Sequence, residues 1–109
     1  SVKKTEKPQT VRDTRLTPKQ RRQARAALVV ELSPIRKRHD SIEKRIADIE
    51  LSQQELESKM SDPEYFKLPE ADESMVKHDQ DRQTLESLYE EWNQLTDQLQ
   101  SKEEELERL

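Results

Sequence analysis

The chain has 109 residues, 40% of them charged and 29% hydrophobic, with a formal net charge of −4. That is too little apolar material for a globular core, and low hydrophobicity with high charge is by itself the composition of a disordered chain. There is no glycine and no cysteine, which excludes phosphate-cradling loops and dinucleotide folds, where the backbone must approach a phosphate or take positive φ, and gives no sign of a disulfide framework. Any activity of such a chain is binding, bracing or spacing.

Residues 1–16 are polar, basic and aperiodic and read as a flexible linker. Lys3, Lys4, Lys7, Arg12 and Arg15 make it either a weak electrostatic grip on nucleic acid or a plain solvated tether. Thr17-Pro18 has the form of an N-cap followed by proline at the first helical position, where its missing N–H costs nothing. Helix one is expected over about 18–60. Apolar residues recur there at 3-4 spacing: Leu28, Leu32, Ile35, His39, Ile42, Ile46, Ile49, Gln53, Leu56, Met60. An average repeat of 3.5 residues keeps one narrow stripe against a partner helix. Pro34 interrupts this helix, because an internal proline removes one hydrogen bond and clashes with the preceding turn, at ~3 kcal/mol. The seam keeps phase across it, which favours one kinked helix over two.

Residues 61–70 carry two prolines and a Ser-Asp capping pair and read as the reversal, with Tyr65, Phe66 and Leu68 expected to fold back over the end of the coil. Helix two is expected over about 70–108, with a seam resuming at Leu85, Leu88, Trp92, Leu95, Leu99, Lys102, Leu106, Leu109. Its acidic first turn suits the positive end of a helix dipole. So short a connection makes the helices antiparallel neighbours. The expected fold is all-α: a two-helix antiparallel coiled-coil hairpin over residues 17–109, ~60 Å long at 1.5 Å per residue. A turn centred near residue 65 sets Ile46 opposite Leu85, Ile42 opposite Leu88, His39 opposite Trp92, Leu32 opposite Leu99 and Arg25 opposite Leu106. Arg21 and Arg25 would then meet Glu103, Glu104, Glu105 and Glu107 at the base.

Charge is uneven along the chain. Residues 1–50 hold 14 Lys or Arg and 7 Asp or Glu, a net of +7, and residues 51–109 hold 6 and 17, a net of −11. The overall acidity therefore hides a basic arm, the electrostatic pattern of a nucleic-acid-binding face. No run approaches the ~18 apolar residues of a membrane span and no signal-peptide pattern is visible. Beginning at Ser1, the chain reads as a piece of a larger cytoplasmic protein.

Five strings carry a family resemblance: Lys19-Gln20-Arg21-Arg22-Gln23-Ala24-Arg25, Leu32-Ser33-Pro34-Ile35-Arg36-Lys37, Ile42-Glu43-Lys44-Arg45-Ile46, the Ser61-Asp62-Pro63-Glu64-Tyr65-Phe66 tip, and Leu88-Tyr89-Glu90-Glu91-Trp92-Asn93-Gln94-Leu95. Over about residues 17–100 they resemble the C-terminal coiled-coil domain of ABC-F ATPases of the Uup and YheS type. The resemblance implies a non-catalytic accessory hairpin that follows two ATP-binding cassettes and binds DNA or ribosomal RNA. It also implies ATP and Mg in the parent protein, with no cofactor in this fragment. One departure is that Glu90 and Glu91 precede Trp92, where many relatives carry arginine.

The cluster Arg36, Lys37 and Arg38, with Lys44 and Arg45 two turns on, is the main candidate for phosphate contact, and Arg21, Arg22 and Arg25 would extend it. Phosphate contacts of this kind give sequence-independent, salt-sensitive affinity. The competing reading is a solvated helix face with acid partners on helix two, such as Glu90 and Glu91. Trp92 is expected in the seam beside His39, and a tip aromatic could stack on a base. His39 and His78 lack a Cys or second His at ligand spacing, so no metal site is expected. No carboxylate pair is placed in a dry pocket, so acid–base catalysis has no support.

Two other functions fit the pattern. One is the helical N-terminal domain of a class I peptide release factor, where an Asp-Pro-acidic tip also joins long helices, although the basic linker argues against a position near a chain start. The other is a scaffolding coil without nucleic-acid affinity. An intramolecular hairpin covers both seams, so a monomer is expected. The partner expected is nucleic acid or the ribosome, not a membrane. Tandem Walker motifs upstream in the parent gene would accompany the ATPase reading, and a Gly-Gly-Gln motif downstream the release factor.

Overall fold

The structure, a computed structural model, describes residues 15–109. The expected linker falls almost wholly outside this range, with Lys3, Lys4, Lys7 and Arg12. The described residues form two long helices, α1 (Pro18–Met60, 43 residues) and α2 (Ala71–Glu107, 37 residues), joined through a 3-10 turn at Pro63–Lys67. The helices pack along their lengths as an antiparallel hairpin, with no strand among the described residues. At 1.5 Å per residue α1 rises ~65 Å.

Each terminus has a local cause. Thr17 caps α1 with a full capping box. Its Oγ1 accepts from the Gln20 N–H at 3.1 Å, and the Gln20 side-chain oxygen accepts from the Thr17 N–H at 3.0 Å. Two of the orphan N–H groups of a helix start are thereby satisfied. The reversal is built without any left-handed residue: Ser61 at the end of α1 has φ −70° and ψ −14°. A chain lacking glycine cannot use the usual glycine C-cap at low cost, so the turn uses proline and side-chain caps instead. Asp62 accepts from the Glu64 N–H at 3.0 Å, Pro63 starts the 3-10 turn, and Leu68 closes it with an N–H bond to the Tyr65 carbonyl.

Pro34 lies inside α1, which is continuous through it. The expected alternative of two separate helices does not occur. The reason is visible on either side: Leu32 is completely buried and Ile35 partly so, and breaking the helix would move one of them off the seam.

The core is a single stripe. Leu28, Leu32, Ile42 and Ile46 of α1, with Ala71, Leu85 and Leu88 of α2 and Tyr65 of the turn, are the buried hydrophobic residues. Ile42, Ile46, Leu85 and Leu88 form one cluster, joined by the partly buried Ile49, Trp92 and Leu95. The cluster holds the residues of two of the five pairs expected to face each other, Ile46 with Leu85 and Ile42 with Leu88. His39 and Trp92 also meet as expected, their rings stacked at 5.3 Å and 27°.

Three expectations need correction. Phe66 and Leu68 do not fold back over the coil end; they are 48% and 46% exposed, and Tyr65 alone of the three is buried. In a 3-10 turn of period three Phe66, one residue on from Tyr65, points away from it, and Leu68 lies past the turn at its extended C-cap, where that period has ended. The α2 seam does not begin at Leu85: Ala71, Ser74, His78 and Asp81 continue its spacing toward the turn and are buried or partly buried. At the base, Arg25 is exposed and Ala24 is the partly buried residue, because a long charged side chain gains nothing by leaving water there.

Two stability effects follow. Ile42→Asp places an unpaired charge in a stripe with no second layer, and should lower stability by more than about 3 kcal/mol, read as loss of most helical circular dichroism at temperatures where the parent is folded. Pro34→Ala should raise the urea midpoint, by an amount corresponding to about 1–3 kcal/mol. A lower midpoint would mean that the proline ring itself is packed to advantage.

Candidate nucleic-acid interface

The seam fixes where each cation of α1 can stand. Residues seven apart share a stripe on a coiled-coil helix. Lys37 and Lys44 therefore lie on the outer stripe, opposite the seam that Ile35, His39, Ile42 and Ile46 define. Arg38 and Arg45 lie on one flank of the seam, and Arg36 on the other. The cations do not form one face; they wrap three sides of α1.

The flanking arginines are engaged across the hairpin. Arg38 grips Glu91 with two hydrogen bonds, Nε at 2.9 Å and Nη2 at 3.0 Å. Arg36 Nη2 donates to Glu103 at 3.0 Å. On the same reach of the rod Lys102 binds Glu31 at 3.2 Å. Glu91, one of the two acids that directly precede Trp92, here neutralises Arg38. The hydrogen bonds from Arg38 hold the Glu91 carboxyl below the usual carboxylate range, and those to Glu91 raise the Arg38 guanidinium above its ordinary value. A depressed carboxylate pKa stabilises the fold above the unfolded-state value, and the contribution is lost as pH falls through the folded-state value. Both side chains are substantially exposed, at 55% and 39%, so solvent screening keeps this contribution small.

Lys37, Lys44 and Arg45 are exposed and have no salt bridge among the described residues. The same holds for Arg21, Arg22 and Arg25 in the first turns of α1, apart from a long contact of 3.5 Å from Arg21 to the Leu16 carbonyl. The expected meeting of these arginines with the Glu103–Glu107 run does not form. Glu103 turns to Arg36 instead, some three to four turns of α1 away from Arg21 and Arg25, so the charge pairing that ties the helices lies in the middle of the rod.

At the centre of this region His39 is held on both ring nitrogens. Nε2 lies 3.0 Å from Thr96 Oγ1, and Nδ1 lies 3.0 Å from the Glu43 carboxylate and 3.9 Å from Asp40. His39, Asp40 and Glu43 bring their ligand atoms within 4.8 Å of one another. This i, i+1, i+4 grouping has one His and two carboxylates, and so no second His or Cys in the sequence signals it. The hydrogen bond recorded for the ring is from the other face, Nε2 with Thr96, and it orients the ring against Trp92. The Trp92 Nε1–H is buried without a partner, a desolvation cost of about 1–3 kcal/mol. Tyr89 donates to Glu50 across the hairpin at 2.5 Å, and that bond raises its phenol above the ordinary value.

Among the sequence candidates, the structure therefore groups Lys37, Lys44 and Arg45 as cations facing solvent alone, and ties Arg36 and Arg38 to α2. Arg21, Arg22 and Arg25 stand apart toward the base. In an NMR titration Glu91 should ionise below the ordinary carboxylate range and return to that range in Arg38→Gln. No change on substitution would mean the bidentate pair does not persist in solution.

No curated protein and no solved structure matches the chain. The ABC transporter C-terminal domain family matches residues 35–97, more than half of the chain. The match begins directly after Pro34. It spans the Arg36–Arg38 cluster, Lys44, Arg45, the turn and the His39–Trp92 stack, and leaves out Arg21, Arg22 and Arg25. No helix among the described residues is long and apolar enough to cross a membrane. The hairpin belongs to the family of ABC transporter C-terminal domains.

Proposed function

We propose that this hairpin is the accessory C-terminal domain of an ABC-F ATPase, and that it binds nucleic acid electrostatically through the cations of α1. The observation that carries this reading is the trio Lys37, Lys44 and Arg45, exposed on a continuous helix with no carboxylate partner among the described residues. A rigid rod holds these charges at fixed spacing, so little ordering entropy opposes their meeting with phosphates. Arg36 and Arg38 remain half exposed and exposed ion pairs are weak, so both can exchange their carboxylates for phosphate. Arg21, Arg22 and Arg25 extend the positive potential toward the base. Each helix covers the other's seam, so the domain works as a monomer and its outer faces remain for a partner. The family supports an ABC parent; in our reading that parent carries two nucleotide-binding cassettes using ATP and Mg and works in the cytoplasm. It offers no support to the release-factor reading.

A second reading has its own observation. Glu91 and Glu103 occupy two of the main cationic cluster's arginines, as expected if the domain is a brace against a protein.

Fluorescence anisotropy with labelled duplex DNA, single-stranded DNA and structured RNA, across a salt series, separates the two. The expected result is binding that falls steeply with salt. Charge reversal of Lys37, Lys44 and Arg45 together should weaken every probe alike and reduce the log–log salt slope by about 3, near one unit per lost phosphate contact. No binding to any probe at low salt would overturn the nucleic-acid reading and leave the brace.

A further inference from the structure

The reversal end of the rod differs in chemistry from the α1 cations. Four large apolar side chains are exposed within eleven residues: Phe66, Leu68, Met75 and Val76. They are connected. Leu68 lines a shallow groove that reaches Glu70, Glu70 lines the next together with Val76, and Val76 lines a third with Met75 and Met60. Phe66 stands edge-on to the buried Tyr65 at 6.0 Å, with its outer face in water. Apolar side chains gathered at one end of a rod, with no third element to cover them, are the usual mark of a contact surface.

Charge says what the contact is. Residues 61–81 hold seven Asp or Glu and two Lys, and both lysines are already bound, Lys67 to Glu64 at 3.2 Å and Lys77 to Asp81 at 2.8 Å. Asp62, Glu64, Glu70 and Glu73 edge the grooves that hold Leu68 and Val76. Lys59, in the last turn of α1, is the one cation nearby without a salt bridge among the described residues. A phosphate backbone or an anionic bilayer meets like charge here, and like-charge contact is costly. So does a second copy approaching tip to tip.

We propose that the reversal end is a docking surface for a basic protein surface: an apolar ridge of the partner, flanked by Lys and Arg, seats on Leu68, Met75 and Val76 within the acidic fringe. The hairpin then has two contact regions of opposite charge, with the cations of α1 along the rod and the acidic apolar tip at its end. The tip contact depends on none of the cations proposed for nucleic acid.

The test uses the chain itself and a fluorescein-labelled helical peptide of leucine and lysine, with leucine along one face, beside an analogue carrying glutamate for lysine. Anisotropy measures affinity, and amide shifts of the isotope-labelled chain locate the site. The expected result is that the lysine peptide alone binds, with shifts confined to about residues 60–80. Leu68→Ser combined with Val76→Ser should weaken binding at least about fivefold, as truncation of apolar anchors does. Glu70→Lys combined with Glu73→Lys should do the same, and all four positions are exposed, so thermal melts should be unchanged. Absence of binding at low salt would overturn the proposal. So would shifts centred on the Glu103–Glu107 run, undiminished binding by the tip variants, displacement of the peptide from the tip by duplex DNA, or sedimentation as a dimer through the tip.

Discussion

A hairpin of two helices has one interface, and everything else in this molecule depends on it. In a layered domain an apolar residue can be replaced by neighbours from several elements. Here each helix has a single partner, and each turn contributes one or two side chains to a single stripe. Leu32 and Ile42 are essentially inaccessible, although nothing but one facing helix covers them. The seam must therefore continue wherever the helices are to remain paired, and Pro34 is accommodated inside α1 because interrupting the helix would cost the seam its phase. The lack of glycine acts in the same direction. With every residue held to the right-handed or extended regions, the chain has two long helices and a proline-shaped 3-10 turn as its low-strain solution.

Where the seam carries polar residues, they define the pairing. His39 packs flat on Trp92 and reaches Thr96, which fixes one helix against the other in rotation as well as translation. Toward the turn, Ser74, His78 and Asp81 stand at seam positions. His78 reaches across the hairpin to within 3.3 Å of Glu57, whereas Asp81 is held by Lys77 of its own helix. An apolar stripe slides at little cost, whereas a stripe with specific hydrogen bonds does not. The reversal end is thus joined by the His78–Glu57 contact and by the buried Tyr65, and the apolar residues it does not bury remain on its surface.

The charges divide into those the fold uses and those it leaves. Arg36, Arg38 and Lys102 tie the two helices through Glu103, Glu91 and Glu31. They are exposed pairs of modest strength that favour antiparallel over parallel pairing. Lys37, Lys44 and Arg45 have no such duty among the described residues, and neither do most of the carboxylates around the turn. Among the described residues the charge thus divides, after folding, into a partly neutralised middle, solvent-facing cations around α1 and a negative tip.

Much of this was legible in the residues. The ten seam positions of α1, the Thr17 cap, the reversal at 61–70 and the His39–Trp92 contact follow from periodicity and capping chemistry, which act within a few turns of chain. The polar start of the α2 seam was hidden because a search for apolar residues cannot see Ser74, His78 and Asp81, although their spacing continues that of Leu85 and Leu88. What only the tertiary structure decided is which of several adjacent charges is used. Arg36, Lys37 and Arg38 are alike in sequence, yet rotation by about 100° per residue sends two to opposite flanks of the seam and one to solvent. Likewise Glu103 meets Arg36 rather than the arginines at the base, and Tyr65 turns inward while Phe66 and Leu68 face water. Local sequence determines that a helix forms and which stripe it buries. The partner's register and the geometry of the turn determine which flanking side chains find each other.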